Sequence, residues 1–218
     1  MCNSLTKGSH TDGLDSFKKD SQVLLMNPLS QDLNAMRQTL LFGGLESLSY
    51  NINRKVSDVM LYEFGKTYNR YGDDFVEERR LALWTTGKKQ EENWNANKSK
   101  VDFFQMRGFI EKLLHKLGLH KGVSLSQINS DIFSEGLCYK IRKKKVLETG
   151  TVRKSVLKSF GIKQEVFYTD INWDLVLEML KNQKTNYKEV SKFPAVRRDL
   201  ALLMDKQVAF AELAGRDW

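Results

Sequence analysis

The spacing of apolar positions along the chain predicts three helices. Residues 33–52 place apolar side chains three and four positions apart, which gives a helix one apolar face; these are Leu33, Met36, Leu40, Leu41, Leu45, Leu48 and Ile52. The same spacing over residues 101–117 is followed at once by Gly118, a residue type that commonly ends helices, and predicts a second one. A shorter third helix is predicted over residues 174–180.

Other segments are rich in apolar and aromatic side chains without this spacing, and they predict strands. These segments are residues 23–26, 59–68, 81–86, 165–171 and 197–204, with a hairpin over 137–144 and 145–152. The first strand should end before Pro28, because proline cannot donate to a central ladder. Polar stretches over residues 88–99 and 181–192 predict a loop and a linker. Because helices and strands do not alternate regularly, the pattern predicts an α+β fold around a mostly antiparallel sheet.

Length and composition suggest one complete domain and part of another. The chain has 218 residues, above the usual size of a single domain, and 41% of them are hydrophobic, which argues against disorder. We predict a core module over residues 1–185. Residues 186–218 should be a linker and the truncated start of a further domain, because about 25 residues after a linker are too few to fold alone.

The charge balance points to a polyanionic partner. The formal net charge is +8, and much of the excess lies in residues 140–158, where Arg142, Lys143, Lys144 and Lys145 are consecutive. This basic stretch has two interpretations. It contacts the phosphate backbone of RNA, or it is a solvated hairpin edge on which lysines prevent aggregation.

Motifs of catalysis and metal binding are missing from the sequence. It contains no glycine-rich phosphate loop and no nucleophile elbow, and its three histidines match no metal-ligand spacing. Cys2 and Cys138 lie far apart, which favours free thiols in a reducing compartment. No apolar run approaches the roughly 20 residues of a membrane span, and the first residues lack the apolar region of a secretory signal. We therefore predict a cytoplasmic chain with no catalytic, cofactor-binding or metal-binding residues of its own.

Four blocks of sequence, in order, resemble the beta subunit of bacterial phenylalanyl-tRNA synthetase. They are NPLSQDLNAMRQTLL over residues 27–41, LYEFGKTY over residues 61–68, VDFF over residues 101–104 and KFPAVRRDLAL over residues 192–202. The resemblance implies the class II synthetase architecture, an antiparallel sheet flanked by helices, in a catalytic-like module. It also implies that residues 186–218 open a truncated, ferredoxin-like anticodon-binding domain.

The resemblance further implies a subunit interface after Pro28, because in this family the strand and helix there correspond to the first class II motif. Leu40 and Leu41 are adjacent and so point about 100° apart, more than one apolar face needs. The glycine pair after them would allow a close backbone approach. We expect Met36, Leu40, Gly43 and Gly44 to contribute to this interface; the alternative is that both leucines are buried under the chain's own sheet.

The resemblance also accounts for the missing chemistry. Working class II enzymes hold ATP with an arginine in a Phe-Arg-x-Glu strand and a second arginine after a glycine-rich strand, whereas residues 60–68 offer Glu63 without that arginine. In this family the alpha subunit aminoacylates tRNA(Phe) with ATP and magnesium, in a heterotetramer of two alpha and two beta subunits. Two alternatives stay open: a stand-alone RNA-binding module using residues 140–158, and an enzyme with an unrecognised site.

Overall fold

The computed structural model describes residues 3–90 and 99–181, and isolated positions between 189 and 205. The chain divides into two compact units, Met1–Gln183 and Lys184–Trp218. The following description concerns the first unit. The predicted strand over residues 197–204 lies largely outside the described residues. Among the helices of the described part, none is long and apolar enough to span a membrane.

The first unit is built around a six-stranded antiparallel sheet. Its elements, in chain order, are β1 (Leu5–Thr6), β2 (Ala35–Met36), α1 (Leu41–Asn53), β3 (Val59–Tyr71), β4 (Asp74–Thr86), α2 (Phe103–Lys116), β5 (Val123–Ile128), β6 (Phe133–Ile141), β7 (Lys144–Val152), α3 (Lys154–Ser159), β8 (Val166–Asn172) and α4 (Trp173–Leu180). The strand order is β3-β4-β8-β7-β6-β5, and β1 pairs with β2 in a separate small sheet. The predicted α+β class with a helix-flanked antiparallel sheet is confirmed.

Helices cover the two faces of the sheet in two separate apolar clusters. On one face, α1 and α3 pack with Leu41, Leu45 and Trp84 at the centre of the first cluster. On the opposite face, α2 and α4 pack over a second cluster that contains Met106, Ile110 and other buried side chains. We call these the α1 face and the α2/α4 face. Because side chains alternate along a strand, successive residues of β3 and β4 belong to opposite faces.

The first helix begins later than its apolar spacing predicts. Residues 35–36 form β2, and the Arg37 backbone donates to the Ser4 carbonyl (3.0 Å) and accepts from the Tyr68 amide (2.9 Å), so this stretch is extended. The helix starts at Leu41, whose amide donates to the Thr39 hydroxyl (3.1 Å). The start at residue 33 is therefore wrong, because long-range backbone pairing overrides the local periodicity.

Other boundaries differ in similar ways. The strand predicted over residues 23–26 is wrong, since only Leu24 forms a single bridge, to Ala35. The strands predicted over residues 59–68 and 81–86 are the apolar ends of one 13-by-13-residue hairpin, and polar residues 69–80 complete it. Strand β5 and helix α3 were not predicted. The second helix, the hairpin of β6 and β7, β8 and α4 are confirmed.

Candidate functional site: a charged cleft

A cavity of about 630 Å³ opens on the α1 face above β4, β8 and β7. Strand register places its charged side chains together, because Ala82 and Glu148 both lie opposite Asp170, on either side of β8. Arg80 lies two residues before Ala82 on β4, on the same face. The charged residues that line the cleft are Glu78, Arg80, Lys145, Glu148 and Asp170.

Both cationic side chains of the cleft already face carboxylates. The Arg80 guanidinium lies 2.6 Å from a Glu78 oxygen and 3.6 Å from an Asp170 oxygen, and Lys145 lies 2.5 Å from Glu148. Burial acts to lower the pKa of Arg80, but Asp170 and Glu78 outweigh it and raise that pKa. Among the residues that line this cleft, no cation is left without a carboxylate neighbour to receive a polyphosphate.

Asp170 carries the electrostatic cost of this arrangement. Burial raises the pKa of its carboxyl group, and Arg80 only partly opposes that effect. Its Oδ1 atom is shielded from solvent and has no hydrogen-bond partner within the described residues. The Tyr168 hydroxyl, which lines the same cleft, has its pKa raised well above the ordinary value, also by burial.

Glu63, the residue that matches the glutamate of the Phe-Arg-x-Glu pattern, is buried in an ion pair. Its carboxylate lies 2.9 Å from Arg37, and both side chains are less than 10% exposed. Arg37 also donates through Nε to the Lys66 carbonyl (2.9 Å) and through Nη1 to the Asn3 carbonyl (3.3 Å). This buried pair therefore fastens the segment before α1 to β3. Sequence reasoning missed Arg37, whose partner lies 26 residues away.

The carboxylate of Asp174, at the start of α4, is also bound within the chain. Helix α4 follows β8 directly and is capped by Asn172, whose Oδ1 accepts from the Leu175 amide (3.0 Å). In the first turn of α4, the Asp174 carboxylate accepts hydrogen bonds from the Arg79 backbone amide (2.7 Å) and from the Arg79 side-chain Nε (2.6 Å). The hydrogen bond from the Arg79 amide is the main cause that lowers the pKa of Asp174.

The predicted interface residues separate into two groups. Leu40 and Leu41 are 2% and 0% exposed in the core of the chain itself, as the alternative interpretation stated. A Cβ atom at Gly44 would overlap the Trp84 ring, so the close approach at the glycine pair is to this chain's own indole. Met36 and Gly43 are partly exposed, and their place at an interface stays a prediction.

The four basic residues of the predicted RNA contact also fall into two groups, one with ion pairs and one without. Lys144 pairs with Glu178 (2.8 Å) and Lys145 with Glu148, whereas Arg142 and Lys143 form the β6–β7 turn, both with positive φ (49° and 67°). Within the described residues neither turn residue has an ion pair. The edge explanation for these lysines is wrong, because β6 and β7 are internal and the sheet edges are β3 and β5.

No three His, Cys, Asp or Glu side chains come together as a metal site anywhere in the described ranges. The two described histidines of the α2 end, His115 and His120, stack with their ring centroids 4.5 Å apart and form no larger cluster.

Comparisons with known proteins give the family. Residues 1–173 match the family model of the phenylalanyl tRNA synthetase beta chain CLM domain. The chain is 41% identical over 222 residues to a phenylalanine–tRNA ligase beta subunit of Bacteroides fragilis, covering 97% of this chain, and 30% identical over 201 residues to that of Fusobacterium nucleatum, covering 89%. It spans about a quarter of the length of these relatives (27% and 25%).

Solved structures support the fold at much lower identity. A pyrrolysyl-tRNA synthetase from Desulfitobacterium hafniense superposes with a TM-score of 0.61 at 10% identity, covering 82% of this chain and 61% of the other. The synthetase-like architecture implied by the sequence blocks is thus confirmed. The family-model match over residues 1–173 and the 41% identity over 97% of the chain show that it belongs to the phenylalanyl-tRNA synthetase beta chain family.

Proposed function

We propose that this chain is the non-catalytic core module of the beta subunit of a cytoplasmic phenylalanine–tRNA ligase. In the full complex, two alpha and two beta subunits would attach phenylalanine to tRNA(Phe), using ATP and magnesium at the alpha subunit. The observation that carries the proposal is the state of the cleft. Its position above the sheet suits a synthetase-like site, but Arg80 and Lys145 are held by carboxylates of the same chain.

The lack of catalysis follows from the chemistry of ATP. A triphosphate needs fork-shaped, charge-assisted contacts from arginine. A ligand that recruited Arg80 would have to displace Glu78 and Asp170, leaving two carboxylates beside the incoming phosphates. That exchange is unfavourable because it places like charges together in a partly buried site.

Calorimetry and radiolabelled pyrophosphate exchange test this part of the proposal. The chain alone should give no saturable heat with ATP at micromolar concentrations and no phenylalanine-dependent exchange. The alpha subunit mixed with the beta subunit should give both. Saturable ATP binding by this chain alone would contradict the proposal, and the alpha subunit assayed alone is the control.

An assembly role remains for the partly exposed surface around β2 and α1. Met36→Lys should weaken association with the alpha subunit by tenfold or more, because it places a charge at the predicted interface. Phe104→Lys is the matched control, since Phe104 is 75% exposed on α2, on the opposite face of the sheet. Light scattering gives the association, and thermal unfolding shows whether each variant is folded. Equal association of both variants would remove Met36 from the interface.

A second candidate function, RNA contact by the β6–β7 turn, is favoured by the charges of Arg142 and Lys143, which form no ion pair with the rest of the described chain. Asn and Gly are the residues that tolerate positive φ best in such a turn, so Arg142→Asn with Lys143→Gly removes both charges without strain. A plot of log affinity for tRNA against log salt concentration has a negative slope. For this double variant the slope should become less steep, by about 0.9 for each duplex phosphate that the chain no longer neutralises. Lys18→Gln with Lys163→Gln removes the same net charge elsewhere; an equal change in both would refute a specific contact.

A further inference from the structure

Strand β3 forms one edge of the large sheet and presents an apolar row at that edge. Met60, Tyr62 and Phe64 are 52%, 72% and 49% exposed, and all three side chains lie on the α2/α4 face. The residues between them point to the α1 face, where Glu63 is buried. An exposed apolar edge strand is a ready template for pairing with another chain.

The direction of the backbone groups along β3 is fixed by the contacts of Arg37. The Tyr68 amide donates outward to the Arg37 carbonyl, and the Lys66 carbonyl accepts from the Arg37 side chain. Pairing with β4 runs without a register shift from Val59 to Tyr71. Because backbone direction alternates along an antiparallel ladder, every second residue from Lys66 back to Met60 also faces outward.

Outward N–H and C=O groups therefore occur at Met60, Tyr62 and Phe64, the residues whose side chains are exposed. In the part of the chain that the structure describes, these backbone groups bond to no other residue. Beyond Phe64 the edge is closed, since Arg37 occupies the position beside Lys66 and is anchored there by Glu63. The free edge is thus five residues long, 60–64.

We propose that residues 60–64 accept a short extended strand of a different polypeptide, which adds a seventh strand to the sheet. The outward N–H and C=O groups belong to every second residue, Met60, Tyr62 and Phe64. Only a partner segment in extended conformation can form hydrogen bonds with all three. The segment should be apolar at alternate positions to cover the row on the α2/α4 face, and neutral or acidic overall, given the formal net charge of +8. This goes beyond the proposed function and does not depend on it.

A second copy of this chain fits the edge less well. Two-fold antiparallel pairing centred on Tyr62 would set Asp58 of the second copy opposite Lys66. That position is already filled by the buried Arg37. Self-pairing is therefore an outcome of the test that would overturn the assignment of the partner as a different polypeptide.

The probe is an acetylated, amidated peptide, Glu-Val-Thr-Val-Thr-Val-Glu, added to the isotope-labelled chain. On saturation, amide hydrogen exchange at Met60, Tyr62 and Phe64 should slow by at least tenfold, while the inward-facing amides of Leu61 and Glu63 should not change. A peptide N-methylated at alternate residues cannot complete the ladder and is the matched control. Equal binding of the two peptides, or unchanged exchange at all three residues, would overturn the proposal.

Variants at Tyr62 separate backbone pairing from side-chain contact. Tyr62→Pro removes one outward N–H and no bond to β4, so it should abolish peptide binding while the chain stays folded. Tyr62→Thr keeps the N–H and should weaken binding by less than tenfold. Equal loss in both variants would mean side-chain docking, and a doubled mass by light scattering that Tyr62→Pro abolishes would mean self-association; either result overturns the proposal.

Discussion

The two faces of the sheet differ in the groups that they bury and in how far their covering helices extend. On the α1 face, buried charged groups pair within the chain, as Glu63 does with Arg37, although Asp170 Oδ1 has no hydrogen-bond partner among the described residues. On the α2/α4 face, the core is apolar, yet its cover stops before β3, where Met60, Tyr62 and Phe64 remain exposed. At β3 the first face is buried within the chain, whereas the second face is exposed.

Because of this difference, the side chains of β3 on the α1 face determine the stability of the chain, and those on the α2/α4 face are available for association. Within residues 59–64 of β3, the odd-numbered Val59 and Glu63 are buried, whereas the even-numbered Met60, Tyr62 and Phe64 are exposed to a partner. A substitution at an odd position should therefore change folding, and one at an even position should change binding. The following predictions test that division, from the largest expected effect to the smallest.

The largest effect is expected where a buried charge loses its partner. Glu63→Ala leaves Arg37 buried without a carboxylate and should lower the free energy of unfolding by about 3–5 kcal/mol. Glu77→Ala is the control on the opposite face, because it breaks the exposed Lys66–Glu77 pair of the same hairpin and should change the free energy of unfolding far less. Urea unfolding measures both, and similar losses would end the contrast between the faces.

A core truncation should come next. Leu41→Ala removes a fully buried side chain at the start of α1 and should cost about 2–5 kcal/mol. Met60→Ala, at a side chain that is 52% exposed, should change stability by about 0.5 kcal/mol or less. The measurement is the urea midpoint at constant slope. A small loss for Leu41→Ala together with failure to bind the alpha subunit would contradict its place in the core and would assign this leucine to the interface.

The same leucine shows what the sequence could predict and what it could not. Periodicity identifies the apolar face of α1 and its core residues correctly, because burial of that face depends on local spacing. It misplaces the start of the helix, because the extended conformation of residues 35–37 depends on pairing with β1 and Tyr68. Adjacent leucines suggest two surfaces, but in the structure both are covered by one cluster.

For the site, the sequence indicates absent chemistry but not the cleft itself. The lack of a Phe-Arg-x-Glu pattern is visible in residues 60–68, and the basic residues of the β6–β7 turn stand out by composition. The pairs of Arg80 with Asp170 and of Arg37 with Glu63 join residues 90 and 26 positions apart, respectively. Strand register brings Arg80 to Asp170, and packing of the segment before α1 against β3 brings Arg37 to Glu63. The spacing of residues along a single sequence carries no signal of either contact.

Two helix glycines on opposite faces should respond with opposite signs. Gly44→Ala forces a methyl group into the Trp84 ring, where the core cannot yield, and should cost about 1–3 kcal/mol. Gly108→Ala, on α2, meets no atom within 4 Å and should stabilise the chain by about 0.5–1 kcal/mol through helix propensity. Thermal unfolding of both variants tests this, and destabilisation by Gly108→Ala would show that α2 is packed more closely than its contacts indicate.

The smallest effects concern the pH dependence of two aspartates. On the α1 face, burial raises the pKa of Asp170 above the ordinary value of 3.8. The ionised form of Asp170 is thus disfavoured in the folded state. The free energy of unfolding therefore decreases as pH rises from the ordinary pKa through the raised pKa. For Asp174 the Arg79 amide lowers the pKa, so its contribution is present above the ordinary value and is lost as pH falls through the lowered pKa.

Neutral substitutions at these positions should therefore give opposite trends in stability with pH. Asp170→Asn removes the cost of ionisation, so its stability relative to the parent chain should rise as pH increases above about 4. The change is limited because Arg80 partly offsets the effect of burial on this carboxyl group. Asp174→Asn should lose stability relative to the parent as pH rises from the lowered pKa of Asp174 to about 4, and the difference should stay constant above that pH; the loss should be small because this side chain is 38% exposed. Urea unfolding at several pH values between about 2 and 7 gives both trends. Parallel trends would mean that Arg80 outweighs burial at Asp170, and that the cleft holds its carboxylate without cost.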